Sequence, residues 1–279
     1  MTLNRRALFQ LFKYAVYLLL AMNIYWFFTE EHLAVDTQFA GGLRLFDIIE
    51  AYVATIDTAA WVILLFMFEL ETFVLDDKHF TPPVKLTLHG LRIVCYTFIV
   101  YACYGYVATL FTQLDITTLA NVSNLCALAD GQWSFATTLD EYAAISAANC
   151  TQLSSADSFF RFGDTFAIVD AGGYRDILML AAVDVINAFV WILVVLVLEM
   201  DVRLQEKDKL EGRILTISTV LKYVLYSILF LAAVYWGFKG DFVDFWDAFL
   251  WLVAFFFIEM NVVEWRQEEA EEKAALAAA

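Results

Sequence analysis

Three glutamates stand at matching points near the ends of three apolar stretches, in Phe68-Glu69-Leu70-Glu71, Leu198-Glu199-Met200-Asp201 and Ile258-Glu259-Met260-Asn261. Eight residues before each Glu comes a tryptophan, Trp61, Trp191 or Trp251, and twelve before comes Asp57, Asn187 or Asp247. With 8 Trp in 279 residues, three coincidences at one spacing mark an internal repeat. The intervening apolar stretches carry a second echo, a base followed four residues later by tyrosine: Lys13 and Tyr17, Arg92 and Tyr96, Lys222 and Tyr226.

A carboxylate in hydrocarbon costs about 2.5–3.5 kcal/mol on insertion scales, and pairing relieves part of that. Glu69, Glu199 and Glu259 are therefore expected to meet Lys13, Arg92 and Lys222 as ion pairs that fix helix order. The sharper alternative is a cation or proton site, because Glu71, Asp201 and Asn261 follow two residues later and add the oxygen ligands that hard cations select. Residues two apart on a helix point about 200° apart, so both members of a pair cannot face one axial ion, and Glu69 and Glu71 are expected to serve different partners.

From Asp57 to Glu69, Asn187 to Glu199 and Asp247 to Glu259 nearly every residue is apolar, a dry interval of about 16 Å. Each Trp falls about 12 Å inside the Glu, too deep for an interfacial belt, and reads as a wedge facing the bundle. Asp57, Asp184, Asp244 and Asp247 gather towards the other mouth, where they form either a solvated rim or a vestibule that attracts cations. Tyr17, Tyr96 and Tyr226 are candidates for lining a path or a lipid- or quinone-binding cleft, although tyrosine is also ordinary packing material in membrane bundles.

Catalysis finds little support. The chain's histidines, His32, His79 and His89, lack metal-ligand spacing, and no nucleophile elbow, Gly-rich phosphate loop or Cys/His cluster is present. The expectation is no enzyme, no metal centre and no cofactor.

The elements that position these residues follow from composition: 62% hydrophobic residues, 18% charged and only 2 Pro place the chain among integral membrane proteins. Spanning-length apolar segments lie at 8–28, 46–75, 91–112, 175–200, 214–238 and 244–265. The first lacks a cleavage site and ends in aromatic residues, so it reads as an anchor rather than a signal peptide. The fold expected is all-α, with six transmembrane helices as three tandem two-helix hairpins around a pseudo-threefold axis. The hairpins run over residues 1–78, 79–213 and 214–265, and an acidic tail over 266–279.

With the N-terminus in the cytoplasm, Arg5, Arg6, Lys78, Lys85, Arg203, Lys207, Lys209, Arg213, Arg266 and Lys273 lie inside, against Arg44, Arg161, Arg175 and Lys239 outside. Both termini are then cytoplasmic, in a plasma or bacterial inner membrane. The polar loop 113–173 faces out, where Cys126 and Cys150 are expected to form a disulfide. A net charge of −16 argues against nucleic acid as a partner.

The leading functional expectation is a small channel or transporter for cations or protons, with the repeated Glu at the cytoplasmic mouth. The main rival is a non-transporting structural or accessory subunit that assembles with itself or with a larger membrane complex. A lipid- or quinone-binding protein is the third class.

Overall fold

Apolar runs of about 20 residues can satisfy their backbone polar groups in hydrocarbon only as helices, unless they close into a barrel. The computed structural model of the chain is mostly helical. It describes residues 5–39, 42–45, 47–71, 81–120, 122, 124–129, 131–156, 158–205, 207 and 209–278, with the side chains of 5–7 and 261–278 outside that description. Helix α1 covers Arg5–Gln38, a short α2 Ile48–Ala51, α3 Val53–Glu69 and α4 Pro82–Leu114. After a small sheet and a single turn of helix, α5 (Cys150–Leu153), come α6 (Ala171–Gln205), α7 (Gly212–Lys239) and α8 (Phe242–Ala278).

Among the described residues, four helical stretches are long and apolar enough to cross a membrane: Leu8–Gln38, Pro82–Leu114, Ala171–Gln205 and Gly212–Lys239. α1 packs on α3 and α8, α3 on α4, α4 on α6, α6 on α7, and α7 on α8, so the long helices follow one another around a closed ring. Large apolar side chains such as Leu18, Ile217, Tyr223, Phe230 and Leu231 are exposed on α1 and α7, as a lipid-facing surface requires.

The expected second span, 46–75, is not one helix. It breaks at Tyr52 between α2 and α3. Glu31 of α1 supplies the reason, since its carboxylate accepts from the backbone N–H groups of Ala54 at 2.7 Å and Thr55 at 3.2 Å and from the Thr55 hydroxyl at 2.5 Å. That is the work of an N-cap, done by a neighbouring helix. Gly105 of α4 lets the break pack closely, because a Cβ there would stand 2.8 Å from Val53 Cγ2 and 3.2 Å from the Ile49 carbonyl oxygen.

The expectation of an all-α chain also needs correction. Within the polar segment between α4 and α6 lie β1 (Ile116–Thr118), β2 (Ser134–Ala136), β3 (Tyr142–Ala144), β4 (Phe159–Phe162) and β5 (Ala167–Asp170). They form one sheet in the order β1-β4-β5-β2-β3, antiparallel except for the β2–β5 pair. The strands are 3 or 4 residues long, too short to show a two-residue period along the chain, and their pairing is non-local. Leu125, Phe135, Ile145, Cys150, Phe159 and Ile168 form their core.

Cys126 and Cys150 are joined as expected, and Cys95 and Cys103 are free and buried among the helices. The bridge spans a sequence separation of 24, for which chain-entropy models give a contribution of about 3.5 kcal/mol. Reduction of the purified protein, or Cys126→Ser with Cys150→Ser, should therefore hasten proteolysis within residues 119–156. Far-UV circular dichroism should keep its helical signal, and a loss of that signal would show that the helices depend on the bridge.

Candidate functional site

Starting at the end of the ring opposite the sheet, the matched charges meet. Lys13 Nζ lies 2.6 Å from Glu69 Oε1, with the two side chains only 5% and 7% exposed, and the Tyr14 hydroxyl donates to the same oxygen at 2.9 Å. Lys222 Nζ reaches Glu259 at 3.1 Å and Asp201 at 3.2 Å, while Tyr226 donates to Glu259 at 3.3 Å and Ser218 to Asp201 at 2.7 Å. Arg92 pairs with Glu71 at 2.6 Å rather than with Glu199, which takes Arg203 one turn further along its own helix at 2.8 Å on an exposed face.

The 200° offset between positions two apart explains the pattern. Glu69 turns to the base of α1, whereas Glu71 turns to the base of α4. Asp201 and Glu259 approach Lys222 from the two helices that flank α7. The Asn261 side chain lies outside the described residues.

Beyond this collar the interior is apolar. Val16, Leu20, Leu65, Val194, Leu229 and Ala254 belong to one apolar cluster that also contains all three matched tryptophans. Those rings form a nearly equilateral triangle, with centroids 6.4 Å apart for Trp61 and Trp191, 6.3 Å for Trp61 and Trp251, and 6.4 Å for Trp191 and Trp251.

On the sheet side of the triangle the chemistry changes. A cavity of about 40 Å³ is lined by the three tryptophans and by Asp57, Asn187, Asp247, Asp244, Thr58 and Tyr106. Asn23 of α1 donates to Asp247 at 2.7 Å. A second cavity, of about 30 Å³, shares Phe27, Tyr106 and Asp244 with the first and adds Glu30, Glu31, Glu50, Asp140 and Asp184. Together they hold eight carboxylates, and among the described residues no Lys, Arg or His lines either. Several acids have neutral donors: Trp236 for Asp184 at 3.1 Å, Thr112 for Glu50 at 2.9 Å and the α3 N-terminus for Glu31. A wider groove of about 660 Å³, walled by Tyr25, Trp26, Leu33 and Phe242, reaches Glu30 and Asp140 from the side.

Asp140 sits on the turn between β2 and β3, so the sheet lowers a carboxyl onto the helices, where Gln38 and the Tyr142 hydroxyl meet. Burial, together with the nearby charges of Asp241 and Glu141, pushes its pKa up to about 7 against the opposing hydrogen bond from Gln38.

Of the residues singled out from the sequence, Asp57, Asn187 and Asp247 thus share one cavity, and the tryptophans share one plane of contact. The tyrosines do not converge. Tyr226 lines a separate cleft of about 480 Å³ with Lys222 and Glu259, whereas Tyr17 is buried and neither it nor Tyr96 lines that cleft. Asn23, Glu30, Glu31, Glu50, Tyr106 and Asp140 were not legible as site residues, because each is brought in by tertiary packing. The one available signal was the Glu30-Glu31 pair interrupting a helix that stays helical to Gln38. No protein-family model, curated protein or solved structure matches this chain.

Two measurements check this geometry. Lys13→Met should lower the melting temperature steeply, since stranding a buried Glu69 costs about 3–5 kcal/mol, and adding Glu69→Met should recover most of the loss. Additive losses would mean the pair is not coupled. Because Asp140 binds its proton more tightly folded than unfolded, its contribution is present below about pH 4 and lost as pH rises through about 7. Hydrogen exchange of residues 134–144, corrected for intrinsic rates, should therefore show protection falling across that window, and Asp140→Asn should flatten the profile.

Proposed function

We propose that this chain is a six-span membrane protein of three tandem hairpins about a pseudo-threefold axis, and that it passes cations or protons along that axis. Helices α3 and α8 supply the second and sixth spans, so that each hairpin pairs a base-bearing helix with an acid-bearing one. The sheet end is extracytoplasmic, and both termini lie in the cytoplasm, in a plasma or bacterial inner membrane. The positive-inside bias and the disulfide support that orientation.

The observation that carries the reading is the pair of adjoining cavities with eight carboxylates and, among the described residues, no basic side chain. Carboxylates gathered without a counter-charge repel one another and lose hydration, a penalty that falls when they take up protons or bind cations. Acids that serve only architecture are better matched by bases, as they are in the collar at the far end. The collar residues Glu69, Glu199 and Glu259, with Lys13, Arg92 and Lys222, then form the inner mouth, where rearranged pairing opens or shuts the path. The tryptophan triangle and the apolar layer beneath it are the barrier in the closed state, and passage requires them to part.

The same dry layer favours the rival reading, a non-transporting subunit that assembles with itself or a larger complex, since an apolar cluster fills the axis without interruption. Reconstituted vesicles separate the two. Wild-type protein should dissipate an imposed cation or proton gradient, and Asp57→Asn with Asp247→Asn should slow this roughly tenfold or more, a barrier change of at least about 1.4 kcal/mol. Trp191→Ala should raise the leak, and Glu259→Gln should alter the rate without loss of expression. Wild-type vesicles no leakier than empty ones would reject transport in favour of the subunit.

A further inference from the structure

The β2–β3 hairpin meets the helices at its tip, where two neighbouring side chains have opposite preferences. Leu139 is buried in an apolar cluster with Ile177, Leu180 and Trp236. Asp140, the next residue, lines the inner cavity of about 30 Å³ and also borders the lateral groove of about 660 Å³. One residue pins the tip to the helices, and the other carries a carboxyl into a site already rich in acids.

The groups around Asp140 come from every element that packs there. Helix α1 contributes Glu30 and Glu31, α2 Glu50, α4 Tyr106 and α6 Asp184. The start of α8 adds Asp244, with Asp241 just before it, while Glu141 and Tyr142 follow Asp140 on the hairpin. Among the described residues no Lys, Arg or His lines the cavity or the groove, and Arg161 and Lys239 at this end pair with Asp164 and Asp176 instead. A protonated Asp140 can pack here, whereas an ionised one loses hydration and gains no counter-charge.

The tip is held together more firmly than it is held down. Within the turn the Thr137 N–H and hydroxyl donate to the Glu141 carbonyl at 2.9 and 3.0 Å, and the Glu141 N–H donates to the Thr138 hydroxyl at 3.1 Å. Outward ties are fewer. The ladder to β5 ends at Phe135, and β3 is an edge strand. Among the described residues the polar hold on α1 runs through Gln38, which donates to Asp140 at 3.4 Å and to the Tyr142 hydroxyl at 3.1 Å.

We propose that the β2–β3 hairpin is a pH-sensitive lid over the acidic cavities, shut while Asp140 holds a proton and released when it gives the proton up. Release lifts the tip and joins the inner cavity to the lateral groove, and Leu139 sets how readily this happens. Since Asp140 loses its proton at about pH 7 in the closed form, the lid is shut in acid and opens as pH rises through neutrality. The proposal names a regulation of the cation-handling site read above and rests on that reading only for its effect on flux.

The test is a distance measurement across the groove in the purified full chain, carrying Cys95→Ser and Cys103→Ser. Nitroxide labels go on Thr137→Cys and Leu33→Cys, which replace exposed groove residues of the hairpin and of α1. Pulsed electron spin resonance should give one short distance at pH 5 and a second, longer one at pH 9, with the ratio of open to closed forms rising roughly tenfold or more. Asp140→Asn should keep the short distance at pH 9, and Leu139→Ala should enlarge the long population at both pH values. Identical distances at pH 5 and pH 9 without either further substitution overturn the lid, whether or not those variants fold. Opening that persists unchanged in Asp140→Asn also overturns it. Flux in vesicles without any change in distance would overturn the lid and leave the transport reading standing, whereas pH-driven opening in a protein that carries no flux would support the lid and remove the transport reading.

Discussion

The cost of putting charge into a water-poor bundle organises this molecule, because its two ends meet that cost in opposite ways. At one end every matched acid whose side chain is described lies within reach of a base, and the pairs tie α1 to α3, α3 to α4, and α7 to both α6 and α8. At the other end acids outnumber bases completely inside the cavities, and neutral donors such as Asn23, Thr55, Thr112 and Trp236 hold them in place. The first arrangement is stable as it stands. The second remains receptive to positive charge.

The tryptophan triangle divides these regimes. Three indoles in mutual contact fill the axis with rigid, largely apolar volume and leave little room for water to bridge from the acidic cavities to the collar. A dry layer of this kind keeps the buried pairs of the collar in a low-dielectric setting, where Lys13 and Glu69 gain most from each other and lose most when separated. In the transport proposed above, the same layer is the barrier that a passing ion meets. Packing and the proposed conduction make opposed demands on Trp61, Trp191 and Trp251.

The small disulfide-linked sheet is more than a cover for the helix ends. Through the turn between β2 and β3 it delivers Asp140 to a cavity otherwise built from helices, and Gln38 at the end of α1 receives it. Glu31 plays a comparable part from the helical side, since the carboxylate that helps line the cavity also caps α3. Several acids of the site thus carry structural work as well as charge, which couples the shape of the vestibule to the ends of the helices around it.

Much of this was legible in the residues themselves. Apolar run length points to a membrane protein, since hydrocarbon leaves the backbone few other options, and the shared spacing of Trp61, Trp191 and Trp251 by itself places three large rings at one depth. The bridge between Cys126 and Cys150 followed from a polar loop with two cysteines near its ends. What the sequence could not determine was which side chains arrive from distant points of the chain. Strands of 3 or 4 residues carry no usable period, so the sheet and its Asp140 were hidden. The choice of Glu71 over Glu199 by Arg92 depends on how neighbouring helices are rotated against each other, and the break at Tyr52 depends on a carboxylate 21 positions earlier, at Glu31. Sequence periodicity records the faces of single helices, whereas the cavities exist only between them.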